Sequence, residues 1–189
     1  PAPLTWHSTW RTGAYLLRSM CSNAQRVERA FQVGEAHYDL GNDLFTAMLD
    51  RSMSYTSGYW RGATTLEQAQ EAKLARVCRK LGLEPGMRVL DIGCGWGNFA
   101  LYAAEHHKVS VVGVTVSQEQ AALARKRCVG LPVDIKIQDY REIVGQYVRV
   151  VSIEMIEAVG RKNLSTFFEV VARALKPGGR FMLQAISCD

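Results

Sequence analysis

The sequence has few groups that could cross-link it or bind metal. Its five cysteines (Cys21, Cys78, Cys94, Cys128, Cys188) are odd in number, widely scattered and nowhere spaced as C-x-x-C. This argues against a disulfide framework or a zinc site and fits a reducing cytoplasm. No apolar run approaches the roughly 20 residues needed to span a bilayer. The start does not read as a secretory leader, and Pro1-Ala2-Pro3 reads as a cut or processed end. Internal repeats and low-complexity tracts are absent, and so is the basic–aromatic interleaving of nucleic-acid readers. Acidic residues are the minority, 18 against 23 Lys and Arg, for a net charge of +5. The basic residues cluster as Arg11, Arg18, Arg26 and Arg29, then Lys73, Arg76, Arg79 and Lys80, then Arg125-Lys126-Arg127. These clusters are either solvated helix faces or an attraction toward an anionic surface such as phospholipid headgroups.

What is present is a globular composition, 48% hydrophobic and 22% charged over 189 residues, enough for one domain with a substantial core. From residue 85 onward strands and helices alternate. Met87–Ile92 reads as the first strand and Trp96 to about Glu105 as the first helix. Val109–Thr115 is a nearly continuous apolar strand, as in a sheet buried on both faces. Ser117-Gln118-Glu119-Gln120 is a capping box opening a helix to about Cys128. Val133–Gln138 and Val148–Ile153 are further strands. Asn163 is placed to cap a helix whose Leu164, Phe167, Phe168, Val171 and Leu175 share a face. Lys176-Pro177-Gly178-Gly179 should stop that helix, with Phe181–Ile186 the fifth strand. The pattern predicts a doubly wound parallel α/β sheet. Before it, Thr65-Leu66-Glu67-Gln68 is a second capping box, and Leu66, Ala69, Leu74, Val77, Cys78 and Leu81 form an apolar stripe. The reading is therefore a helical segment over 1–84 that covers a core over 85–189. Residues 37–60, rich in aromatic and polar groups, look like the part lying over the site.

The most informative run is Val89-Leu90-Asp91-Ile92-Gly93-Cys94-Gly95-Trp96-Gly97-Asn98, a buried strand that breaks into a glycine turn before a helix. Glycines there would let a nucleotide-like ligand approach the backbone, next to the free N–H groups of a helix N-terminus. The G-x-G-x-G spacing after Asp91 points to S-adenosylmethionine rather than to a dinucleotide, whose fingerprint is G-x-G-x-x-G. Tight strand–helix packing is the competing explanation for the glycines.

Seven segments in order carry a resemblance: His37–Phe45, Met53–Trp60, Leu66–Gln70, Leu90–Gly97, Gly113–Ser117, Gln138–Arg141 and Glu157–Gly160. Over about residues 30–188 the chain resembles the cyclopropane-fatty-acyl-phospholipid synthase family, which includes mycolic acid cyclopropane synthases and fatty-acid methyltransferases. The resemblance implies a class I S-adenosylmethionine-dependent methyltransferase fold whose last sheet strands would follow residue 189, so the chain reads as a C-terminally truncated catalytic domain. It implies S-adenosylmethionine held by Asp91, by Gly93, Cys94, Gly95, Trp96 and Gly97, and by Thr115, Val116 and Gln120 near ribose and adenine. Asp139, with Tyr140 and Arg141 beside it, is implied as acceptor for the adenine amino group. Tyr55 and Thr56 are implied to close over the cofactor, and Ile153 to line its site.

In such chemistry the π electrons of a cis double bond attack the sulfonium methyl, and ring closure then needs a base. The resemblance implies a bound bicarbonate as that base, held partly by Glu157, with Tyr38, Ser57, Gln184 and Ile186 at the same site. It also implies a tyrosine beyond residue 189. Ser57 stands where the family commonly has cysteine, Gln184 where it has histidine, and Val148 where it has an acid. Glu154, near Glu157, is read as a solvated loop charge, or else as a second carboxylate raising its neighbour's pKa. Implied partners are phospholipid acyl chains at the inner face of a membrane, with a homodimer as one possible assembly. Methyl transfer without cyclisation, methylation of an amine, and an inactive cofactor-binding module remain as alternatives.

Overall fold

The computed structural model describes residues 42–187, so Tyr38 and the basic residues of the first thirty lie outside the described part. A short helix α1 (Asn42–Met48) and a long one, α2 (Leu66–Leu81), come first. Then follow β1 (Arg88–Ile92), α3 (Asn98–His107), β2 (Ser110–Thr115), α4 (Gln118–Arg127), β3 (Val133–Ile137), β4 (Tyr147–Ile153), α5 (Ile156–Val159), α6 (Leu164–Ala174) and β5 (Leu175–Gln184). The five strands make one sheet in the order β3-β2-β1-β4-β5, every pair parallel. The chain winds outward from β1 to β3, then returns to β1's other side with β4. That reversal opens a crevice at the carboxyl ends of β1 and β4, where open α/β sheets take ligands.

Both faces of the sheet are covered, which explains the nearly unbroken apolar strands. On one face Leu90, Ile92, Val112, Val114 and Val150 pack against Phe167, Val170, Val171 and Ala174 of α6. On the other, Val89, Val111 and Val151 meet Phe99, Ala100 and Ala103 of α3 and Leu74, Val77, Cys78 and Leu81 of α2. The apolar stripe of α2 is thus part of the sheet's own core, although the helix precedes residue 85.

Two of the three capping signals act, each in a modified form. Thr65 Oγ1 accepts from Gln68 N at 3.3 Å, but Gln68 Oε1 turns to Thr64 N instead of completing the box. Ser117 Oγ accepts from Gln120 N at 3.2 Å, and the Gln120 side chain goes to Thr115. Asn163 occupies the cap position of α6, yet its Nδ2 donates backward to Val159 O at 2.8 Å.

The fifth strand begins earlier than its apolar run. Tyr147 pairs with Leu175 and Arg149 with Arg180, so two steps along β4 correspond to five along β5. The turn signal Lys176–Gly179 does interrupt the helix, but its residues are absorbed as an irregularity within the strand. Ile186, expected inside the strand, lies past its end and is exposed.

Candidate functional site

The crevice at the strand ends is lined from three directions. Asp91 comes from β1, and Gly93, Cys94, Gly95 and Trp96 from the turn after it. Thr115, Val116 and Gln120 come from the end of β2 and the start of α4, and Ile153, Glu154 and Met155 from the end of β4. Tyr140 closes one side, and Met53, Tyr55 and Thr56 lie over the top. These residues meet because parallel strands in register bring their carboxyl ends to one edge, so Asp91 sits beside Gly113 and Val151.

The three glycines of the turn all have positive φ but serve different ends. A Cβ on Gly95 would meet nothing within 4 Å, so this glycine leaves open space on the crevice wall. A Cβ on Gly93 would lie 2.6 Å from Met155 Cγ, and one on Gly97 3.0 Å from Ala124 Cβ. Gly97 is therefore a packing glycine against α4 and does not line the crevice.

Asp91 is fully buried, and its Oδ2 has no hydrogen-bond partner among the described residues. Burial raises its pKa to about 7. Cys94 is also driven well above the usual thiol range, by burial first and then by the nearby Asp91, so it is a neutral wall residue and no nucleophile. Thr115 Oγ1 donates to Gln120 Oε1 at 2.8 Å and accepts from Ser117 N at 3.3 Å. Asp139 does not reach the crevice. Its two oxygens take the Arg141 Nε and Nη2, each at 2.8 Å, and the Arg141 backbone N–H as well. The ion pair engages both oxygens of Asp139, and of that trio Tyr140 alone lines the crevice.

The cover is fastened by buried polar groups. Arg127 donates Nη1 to Trp96 O and Nη2 to Ser52 O, both at 2.8 Å. Asn98 Nδ2 donates to Ser54 Oγ, and the Phe45 ring lies 4.7 Å from that of Trp96. Lys73, expected on an exposed basic face with Arg76, Arg79 and Lys80, is buried instead. Its Nζ donates to Thr56 Oγ1 and Gln70 Oε1, both at 2.5 Å, while Gln70 Nε2 holds Thr56 O at 2.8 Å. The signal was available: position 73 lies four residues from both Ala69 and Val77, inside the apolar stripe.

Burial lowers the Lys73 pKa to about 8, against a partial offset from Glu154 and Asp50. The unfolded chain binds this proton up to its ordinary 10.5, so the burial cost is full below pH 8 and fades as pH rises to 10.5. Stability should therefore rise across that window by at most about 1.4 kcal/mol per pH unit. Lys73→Met should remove the rise, as measured by denaturant unfolding at successive pH values.

The residues expected around a base divide into two groups. Ser57 and Gln184 do come together, but on Glu154. Ser57 N reaches Glu154 Oε1 and Oε2 at 3.1 and 3.2 Å, the Ser57 hydroxyl also donates to Oε1, and Gln184 Nε2 donates at 2.8 Å. The reading of Glu154 as a solvated loop charge is corrected by these bonds. Glu157 stands apart, exposed and off the crevice wall, its Oε1 accepting from Ile186 N at 2.6 Å.

With this geometry in view, comparison with known proteins is decisive for the family. A family model described as mycolic acid cyclopropane synthetase matches residues 25–189. The chain belongs to this family. The cyclopropane-fatty-acyl-phospholipid synthase of Escherichia coli (strain K12) is 57% identical over 164 residues, which are 87% of this chain and 43% of the relative. Tuberculostearic acid methyltransferase UfaA1 of Mycobacterium tuberculosis is 40% identical over 163 residues, 80% of this chain and 38% of the relative. The crystal structure of mycolic acid cyclopropane synthase CmaA1 complexed with SAH and CTAB superposes with a TM-score of 0.78 at 35% identity, covering 81% of this chain and 55% of that one. The chain thus spans less than half the length of these two curated relatives. Its fold is that of class I S-adenosylmethionine-dependent methyltransferases, present as a partial domain.

Proposed function

We propose that the chain is the S-adenosylmethionine-binding part of an enzyme that adds a methylene or methyl group to the cis double bond of unsaturated acyl chains in phospholipids. The observation that carries this reading is Asp91, a fully buried carboxylate on the wall of a glycine-turn crevice, with one oxygen unpartnered among the described residues. Such a group calls for a cationic ligand, because an unpaired buried charge is costly. S-adenosylmethionine fits, with an ammonium for Asp91, and when bound it supplies an electrophilic sulfonium methyl. Gly95 gives it close approach to the backbone, and the Thr115–Gln120 pair offers hydroxyl and amide groups to its ribose and adenine portions. Met53, Tyr55 and Thr56 shield the reacting end from water.

The cover favours a lipid acceptor over an amine in a closed polar pocket. Leu44, Met48, Tyr55 and Trp60 are each more than half exposed on it, an apolar approach to the crevice. Among the described residues no helix is long and apolar enough to cross a membrane. Exposed Arg76, Arg79 and Lys80 on α2 suit peripheral attachment to the anionic cytoplasmic face. The bicarbonate implied by resemblance does not fit the site as it stands. The Ser57 and Gln184 donors that would hold it already serve the Glu154 carboxylate, so no step runs through that ion here. The test is mass spectrometry of phospholipids incubated with the full-length protein and methyl-labelled S-adenosylmethionine. Each modified chain should gain one CH₂, and fragmentation should distinguish a ring from a branch. Unchanged lipids would sink the proposal.

A further inference from the structure

We propose that Glu154 is the base that accepts the proton lost from the transferred carbon, taking the place of a bound anion. The inference rests on the lipid-modifying reading above. Glu154 is the first residue beyond β4 and forms part of the crevice wall with Asp91 and Met155. Its carboxylate collects a backbone N–H and a hydroxyl from Ser57, 97 residues earlier, and an amide N–H from Gln184. Such converging donors fix a carboxylate in one orientation. They also leave no place for an external anion, which would need the same donors and would face this negative charge at close range.

The backbone supports a functional reading. Glu154 has φ +49, a left-handed conformation that is strained for a non-glycine residue. It is held there by its own N–H, which donates to Gln184 O at 2.8 Å. Strain of this kind persists where surrounding structure imposes it, and it concentrates at working sites. The same bonds explain how Ser57 and Gln184 remain useful. They position the base rather than binding an ion.

The step balances without an oxidant or reductant. Once the methyl carbon has joined one alkene carbon, positive charge rests on the other. A C–H bond of the added methyl breaks, and its electron pair forms the bond that closes the ring at the cationic carbon. The proton passes to the Glu154 carboxylate and from there to solvent.

The test uses the full-length protein, vesicles of a dioleoyl phospholipid, methyl-labelled S-adenosylmethionine, and buffer purged of carbon dioxide with or without added bicarbonate. Wild-type yield should be the same, within about twofold, in both buffers. Glu154→Gln should lose about a hundredfold or more, the range of a general base, with no rescue by bicarbonate because the amide still occupies the donors. Glu154→Gly relieves the strained φ and frees the Ser57 and Gln184 donors, and its activity should depend on added bicarbonate. Thermal unfolding confirms that each variant is folded. Wild-type activity that collapses without bicarbonate overturns this inference and leaves the proposed function standing, as does Glu154→Gln with wild-type yield. A wild type that modifies no lipid overturns both.

Discussion

Replacing Asp91 with asparagine is expected to weaken S-adenosylmethionine binding about a hundredfold near pH 8 while making the cofactor-free protein more stable. The two effects have opposite signs because Asp91 is placed for its ligand and not for the fold. It is fully buried, one oxygen lacks a partner among the described residues, and burial holds its pKa near 7 against an ordinary 3.8. Between those values the folded, cofactor-free protein keeps a proton that the unfolded chain has released. Stability therefore falls as pH rises through that window, by about 1.4 kcal/mol per pH unit at most, and levels off above it. A cationic ligand reverses the preference by favouring the carboxylate. Below pH 7 binding must then release a proton, and affinity should drop about tenfold for each pH unit. Calorimetry in buffers of different ionisation enthalpy measures that proton directly. In Asp91→Asn the proton release and the pH slope should both vanish. If the variant binds as tightly as wild type and keeps the slope, Asp91 does not meet the cofactor's charge.

How much of this was legible in the sequence depended on how local each signal was. The strands, their order of appearance and the glycine turn followed from apolar runs and punctuation within a few residues. So did the caps at Thr65 and Ser117, whose side chains reach only three residues ahead. Asp91, Gly95, Thr115, Gln120 and Tyr140, implied at the cofactor site by the family resemblance, all line the crevice.

The misses share a different cause. Glu154 follows a strand like any loop acid, and nothing nearby reveals that Ser57 closes on it across 97 residues. Lys73 fell within the apolar stripe of α2, but residue type outweighed position, and its charge was assigned to solvent. Asp139 differs for a local reason, because Arg141, two residues away, pairs with it beside the crevice. The start of β5 depended on pairing with β4, where the register slips past Gly178 and Gly179, and no period within 175–184 encodes that slip. Sequence thus located the backbone cradle more readily than the charged groups around it, since a buried charge is defined by distant partners.

The core beneath the site should be equally sensitive, with Phe167 as its most exposed weakness to mutation. Phe167 is fully buried on α6, facing Leu90, Ile92 and Val150 of the sheet. Its ring meets Tyr140 edge-on at 5.7 Å, Phe168 at 5.4 Å and Phe181 at 6.2 Å. Phe167→Ala removes most of a ring from a close-packed interior and leaves a cavity, at an expected cost of about 3–5 kcal/mol. Phe168→Ala, one residue on, is the control. That ring is 46% exposed, so its loss should cost about 1 kcal/mol, mainly through the edge contacts it shares with Phe167 and Phe181. Denaturant unfolding of the two variants measures the difference. Because Tyr140 lines the crevice and leans on Phe167, the first substitution should also weaken cofactor binding while the second leaves it unchanged. Equal losses of stability from both variants would show that α6 is not docked through Phe167, and that Tyr140 is held at the crevice by something other than this ring.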